Sequence, residues 1–106
     1  MDAELRMVYV TVSGKEEAER IAKELVSRKL AACVNIYDGV TSIYIWEGKE
    51  QKDTEATLFI KTKSSLLPEI KKTVKELHSY TCPCVVAVPI VYSDEEYAKW
   101  VMNETK

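Results

Sequence analysis

Glycine, proline and cysteine each occur only three times in these 106 residues, and histidine only once. The glycines are scattered, so no Gly-rich loop is available to cradle a phosphate. A single histidine leaves no Ser–His–Asp constellation visible as a local motif, and the chain does not read as an enzyme. Three cysteines is an odd count, which an all-disulfide framework cannot absorb. With no signal peptide in the short polar start, Met1–Arg6, this points to a reducing, cytoplasmic setting. No apolar run approaches the length of a membrane span, so no membrane partner is expected. An excess of charge is missing too: 15 basic and 17 acidic residues are interspersed for a net −2, which argues against nucleic acid as the main partner. No repeat, low-complexity segment or linker divides the chain, and residues 1–106 read as a single domain. A hydrophobic content of 46% can fill one core. A chain of this size buries roughly 60–70% of its unfolded surface, which leaves room for oligomerisation to add stability.

The periodicities give an element order. Met7–Val12 is β-branched and alternating, a strand. Ser13 with Glu16 fits a capping box, after which Ala18, Ile21, Ala22, Leu25 and Val26 recur at helical spacing. Ala31–Tyr37 and Val40–Glu47 form one long strand, interrupted at Asp38-Gly39 by a bulge or bend. Its distal half carries large apolar groups on both faces: Val40, Ser42, Tyr44 and Trp46 on one, Thr41, Ile43, Ile45 and Glu47 on the other. A strand with one wet face alternates more cleanly, so another subunit is expected to cover part of it. Glu47–Glu50 turns the chain into a returning strand, Thr54–Thr62. Ser64 or Ser65 caps a second helix with Pro68 in its first turn. Val85–Tyr92 is a strand whose Pro89 lacks a ladder donor and belongs at a sheet edge. Ser93 with Glu96 makes a second capping box, opening a short helix with Tyr97, Trp100 and Val101 on one side. The order is an α+β ferredoxin-like βαββαβ with an extra C-terminal helix, on an antiparallel four-stranded sheet with helices on one face.

The chemistry concentrates in His78-Ser79-Tyr80-Thr81-Cys82-Pro83-Cys84. Imidazole and thiolate are good zinc and copper ligands, and on extended backbone Cys82 and Cys84 project to one face. Two thiolates so placed suit Cu(I); as small buried residues they would instead behave as hydrophobes. Cys33, between Ala32 and Val34, reads as core packing. A catalytic Cys82–His78 pair is four residues apart with nothing to orient it. An acylphosphatase-like activity would want an arginine-bearing phosphate loop after the first strand, and Ser13-Gly14-Lys15 is a poor substitute. Tyr44, Trp46, Tyr80 and Trp100 could stack a ligand, but core or interface anchoring is the preferred reading. Glu55 and Lys61 share a strand face and read either as a site for a small anion or metabolite near Tyr80 or as an ion pair.

Leu30-Ala-Ala-Cys33-Val-Asn-Ile36, Gly39 followed by Ser42-Ile-Tyr-Ile-Trp46-Glu-Gly48, Glu55 leading to Ile60-Lys61-Thr62, His78-Ser-Tyr80, Pro83, Val88-Pro-Ile90 and Tyr97-Ala-Lys-Trp100 together resemble the CutA family of divalent-ion tolerance proteins. The order and spacing of these landmarks run from about Val8 to Val101. The resemblance implies a tight homotrimer, similar in design to the PII signalling proteins, and binding of divalent cations, copper in particular; Cys33 stands at the family's cysteine position. It implies no reaction. The family usually has His-Pro-Tyr and often a later glutamate where this chain has Ser79 and Cys84, so carry-over is sound at Tyr80 and Pro83, and two thiols are gained beside His78.

These readings converge on a cytoplasmic homotrimer that binds metal ions, with Cys33, His78, Cys82 and Cys84 as candidate ligands for copper. Glu55, Lys61 and Tyr80 are candidates for an inter-subunit cleft, and Tyr44, Trp46 and Trp100 for the interface. The alternative is a PII-like signalling module that binds a small ligand between subunits and relays its state to an unknown protein partner. A blander third reading is a stable scaffold whose copper binding is incidental.

Overall fold

A computed structural model describes residues 4–106; Met1–Ala3 of the expected 1–106 domain lie outside the described residues. Eight elements follow one another: β1 (Leu5–Val12), α1 (Lys15–Ser27), β2 (Cys33–Trp46), β3 (Lys49–Lys63), a 3-10 turn (Ser64–Leu66), α2 (Leu67–Leu77), β4 (Val85–Pro89) and α3 (Glu95–Glu104). The strands form one antiparallel sheet in the order β2-β3-β1-β4. This is the ferredoxin-like arrangement with an added C-terminal helix, as expected, and β4 with its proline lies at an edge.

One face of the sheet makes the core. Val8, Val10 and Val12 of β1 and Ala56, Leu58 and Ile60 of β3 bury against Ala18, Ile21 and Leu25 of α1 and Ile70 and Val74 of α2. Such amphipathic stripes are stable as helices chiefly because the sheet takes up their apolar side. The third helix departs from the expectation that helices share one face. Alternation along β1 puts Leu5 on the face opposite Val8 and Val10, and Leu5 is buried with Ala98 and Val101. So α3 packs at one end of the open face, where the Lys63 ammonium donates to the Met102 and Thr105 carbonyls at its C-terminus.

The β2–β3 hairpin reaches well beyond the helices, and the chain extends 44 Å in its longest direction. Its two-residue turn has positive φ at both Glu47 (52°) and Gly48 (79°), the backbone twist that matches paired strands. The pairing is shifted between Asp38 and Val40, where Gly39 takes φ 92°, as the bulge reading anticipated. β3 begins at Lys49, earlier than expected. Lys-Glu-Gln-Lys-Asp looks like loop, yet the hairpin ladder pairs it and water solvates both faces. β4 ends at Pro89, short of Tyr92: the Ile90 N–H still donates to the Leu5 carbonyl, and β1 begins there, so Val91 and Tyr92 have no strand to pair with.

Two caps are displaced from the expected positions. Gly14 is the N-cap of α1, and Glu17 reaches back in place of Glu16. In α3 the Asp94 carboxylate accepts from the Tyr97 N–H, the role expected of Ser93. α2 has no side-chain cap; the 3-10 turn leads into it and Pro68 sits in its first turn.

Thr57, buried on the open side of β3, has a hydroxyl with no hydrogen-bond partner. An unpaired buried hydroxyl costs stability that an apolar isostere does not. Thr57→Val is therefore expected to raise stability by about 1 kcal/mol, read as an upward shift of the thermal midpoint; a lowered midpoint would contradict the packing described.

Candidate functional site: an acidic, thiol-bearing cleft on the open face

The segment between α2 and β4, His78–Cys84, contains neither helix nor strand, so its shape depends on side-chain bonds to the backbone. Three residues fix it. The Glu17 carboxylate, in the first turn of α1 and nearly fully buried, accepts from the Ser13 N–H (3.2 Å) and hydroxyl (2.5 Å) and from the Ser79 N–H (2.7 Å) and hydroxyl (3.0 Å). The His78 ring, completely buried, accepts at Nδ1 from the Tyr80 N–H (3.0 Å). Its Nε2 therefore carries the proton and donates to the Thr11 carbonyl at 2.7 Å. Tyr80 stacks obliquely on that ring, with centroids 4.7 Å apart, and donates its hydroxyl to the Glu55 carboxylate at 2.6 Å.

The segment so held forms one wall of a cleft of about 510 Å³ lined by Thr11, Ser42, Tyr44, Trp46, Asp53, Glu55 and residues 80–82 and 84. Register explains the gathering. Ser42 pairs with Asp53 and Tyr44 with Gln51, so the lining groups of the hairpin share the open face with Glu55. Tyr44 donates its hydroxyl to Asp53. Among the described residues lining the cleft, none is basic.

Charge sets the protonation states. Burial would raise the Glu17 carboxyl, but the four donors from Ser13 and Ser79 outweigh it and hold the pKa at about 2. Burial, the bond to Glu55 and the neighbouring carboxylates push the Tyr80 phenol far up, so it stays a donor. Burial and the Glu55 charge push the Cys84 thiol up. The Tyr44 hydroxyl is raised by its bond to Asp53.

The expected site residues fall into three places. Cys82 and Cys84, both exposed and free, lie in the cleft with Glu55, Tyr80, Tyr44 and Trp46. His78 lies beneath it with both nitrogens engaged by the main chain, so ligation through either would displace one of these bonds. Cys33 pairs with Lys61 across the hairpin base, six residues along β3 from Glu55, or roughly 20 Å at strand spacing. There burial, with Cys33 nearby, pushes the Tyr97 phenol up, and Tyr97 stacks beside Trp100 on α3. Lys61 is not brought to Glu55 or Tyr80: its ammonium bonds to Asn35. Among the described residues, no three or more His, Cys, Asp or Glu side chains gather where they could hold a metal ion. Sequence reasoning missed Asp53, whose signal would have been its cross-strand register with Ser42, and Glu17, which a shift of the helix start by one residue would have revealed.

The fold and the cleft thus define a ferredoxin-like α+β protein that presents carboxylate, phenol and thiol donors on the open face of its sheet. Residues 6–104 match the family described as CutA1 divalent ion tolerance protein. The chain belongs to that family. It is 46% identical over 99 residues to the divalent-cation tolerance protein CutA of Thermus thermophilus, covering 93% of this chain and 96% of that one. It is 48% identical over 100 residues to the chloroplastic protein CutA 1 of Oryza sativa, covering 94% of this chain. The chain spans about half the length of the chloroplastic relatives it matches, 56% and 55% of them. The solved structure of the Archaeoglobus fulgidus protein, described as a periplasmic divalent cation tolerance protein CutA, superposes with a TM-score of 0.94 at 42% identity, covering 96% of this chain and 99% of that one. No described helix is long and apolar enough to cross a membrane.

Glu17 generates a pH prediction. Its carboxyl titrates near 4.5 unfolded and about 2 folded, so its contribution is complete above about pH 4.5 and is lost as pH falls through about 2. Glu17→Gln should cost about 2–3 kcal/mol at neutral pH and flatten the fall in stability between those limits. Chemical denaturation at a series of pH values reads this; parallel profiles for the two proteins would contradict the assignment.

Proposed function

We propose that this chain works as a homotrimer in tolerance of divalent cations, copper chief among them, and takes up the ion in the cleft between the hairpin and residues 80–84. The observation that carries this reading is the lining itself: two carboxylates, each with a phenol donating to it, and two thiols, with no basic group among the described residues that line the cleft. A wall of that sign concentrates cations and repels anions. Membership of a family described by divalent ion tolerance points the same way.

Assembly has its own support. Ile43 (65% exposed), Ile45 (66%), Val91 (88%) and Tyr92 (89%) stand in water in the single chain, along with half-exposed Trp46 and Val86. So many large apolar side chains left in water suit burial against other chains. We place Tyr44, Trp46 and Trp100 at its contacts, and the cleft where neighbouring chains meet, so that donors from a second subunit complete the coordination of a divalent ion. Three free thiols suit a reducing compartment, and we assign the protein to the cytoplasm. No catalytic role is assigned: the Tyr80 phenol stays protonated and the imidazole is spent on the backbone.

The PII-like alternative keeps one observation in its favour. A cleft of about 510 Å³ with aromatic walls is of a size that takes a small molecule. A metabolite screened by thermal shift should then stabilise in proportion to occupancy.

Two outcomes are expected. Asp53→Asn combined with Glu55→Gln should weaken Cu(II) and Zn(II) binding roughly tenfold or more in calorimetric titration; unchanged affinity would move the site elsewhere. Trp46→Asp should shift the protein from trimer toward monomer in sedimentation at micromolar concentration, whereas a fully trimeric variant would refute the placement of that ring.

A further inference from the structure

We propose that Cys82 and Cys84 form a two-coordinate site for a soft monovalent ion, copper(I) being the one of this chemistry, distinct in its demands from the divalent binding of the same cleft. This rests on the reading that the cleft is the ion site. Both thiols line it, both are exposed, and neither is in a disulfide. A single residue separates them, and that residue is a proline. Its ring fixes φ near −65° and keeps Cys82 out of the helical region, which narrows the backbone conformations open to the pair. On extended backbone residues i and i+2 lie roughly 6.6–6.8 Å apart, and the bend at Cys82 makes that an upper bound here. Two metal–sulfur bonds of about 2.3 Å span roughly 4.6 Å. Side-chain rotation toward the cleft is the movement that would bring the two sulfurs to that separation.

Coordination number selects the ion. Zinc and calcium are satisfied by four or more donors, yet no described cluster of three or more His, Cys, Asp or Glu can hold a metal. His78 has both nitrogens engaged, to Tyr80 and Thr11, and Cys33 opens β2, at the opposite edge of the sheet from β4, which the thiols precede. Within one chain, then, the donor set fits an ion content with two sulfurs, for which thiolates are the preferred ligands. Binding is an exchange without electron transfer: one Cu(I) displaces two thiol protons, the two sulfur–metal bonds replace two S–H bonds, and the protons leave to water. Glu55 and Asp53 line the same cleft and favour entry of the positive ion.

The test is anaerobic titration of the fully reduced whole chain with Cu(I) against bathocuproine disulfonate, with native mass spectrometry to count ions. One Cu(I) per chain is expected. Cys82→Ser and Cys84→Ser should each lose more than the roughly 10–100-fold that disturbing an outer-shell partner costs, while Cys33→Ser binds as wild type. Both thiols are exposed, and circular dichroism of each variant confirms the fold. Wild-type affinity in Cys82→Ser, or loss in Cys33→Ser, would overturn the site. The Asp53→Asn, Glu55→Gln variant separates the two readings. Uptake of Cu(I) by a protein that never binds Cu(II) or Zn(II) would sink the divalent proposal and leave the dithiol site standing. Divalent binding with no Cu(I) held against the competitor would do the reverse.

Discussion

The Glu17 carboxylate is the constraint on which the cleft depends. Burying a charge is costly unless donors replace the lost water, and here four do, two from Ser13 and two from Ser79. Those donors come from both sides of a gap in sequence of more than sixty residues, so the carboxylate ties the start of α1 to the segment that follows α2. That segment has no ladder or helix of its own. His78 then extends the tie to β1 through the Thr11 carbonyl, and Tyr80 extends it to β3 through Glu55. The thiols at 82 and 84 are positioned by what Glu17, His78 and Tyr80 hold upstream of them.

The two faces of the sheet divide the labour. One face is closed by α1 and α2 over valines, leucines and isoleucines, and its packing gives the chain most of its stability. The other is closed by α3 only at one end. Beyond it, the hairpin keeps Tyr44 and Trp46 partly in water beside paired carboxylates. A sheet left half-covered is poorly explained by the stability of one chain, and the proposed homotrimer is what would cover it. The cleft lies on this half, which is why Asp53 and both thiols are exposed, while Glu55 and the histidine beneath are buried.

Much of this could be read from the residues, and the boundary is physical. β1, α1 and the bulge at Asp38-Gly39 were legible because alternation, helical spacing and a glycine each have one backbone meaning. The caps were off by one residue because Ser13, Gly14 and two adjacent glutamates offer similar local bonds, and only Ser79, far away in sequence, decides for Glu17. Lys49–Asp53 was illegible as strand because its pairing partner, not its composition, makes it one. Cys82 and Cys84 were visible as a pair from their spacing. The tying-up of His78 was not visible, since the groups that occupy its nitrogens are main-chain atoms of Thr11 and Tyr80. Glu55 and Lys61 do share a face, but a shared face along one strand is no guarantee of contact.

The most direct test of the account is anomalous diffraction at the copper edge from crystals of the reduced protein grown with copper. The account predicts a peak in the cleft, within bonding distance of the Cys82 and Cys84 sulfurs, with the His78 ring still bonded to Thr11 and Tyr80. A peak at Cys33, or one ligated by a swung-out His78, with the cleft bare would contradict it.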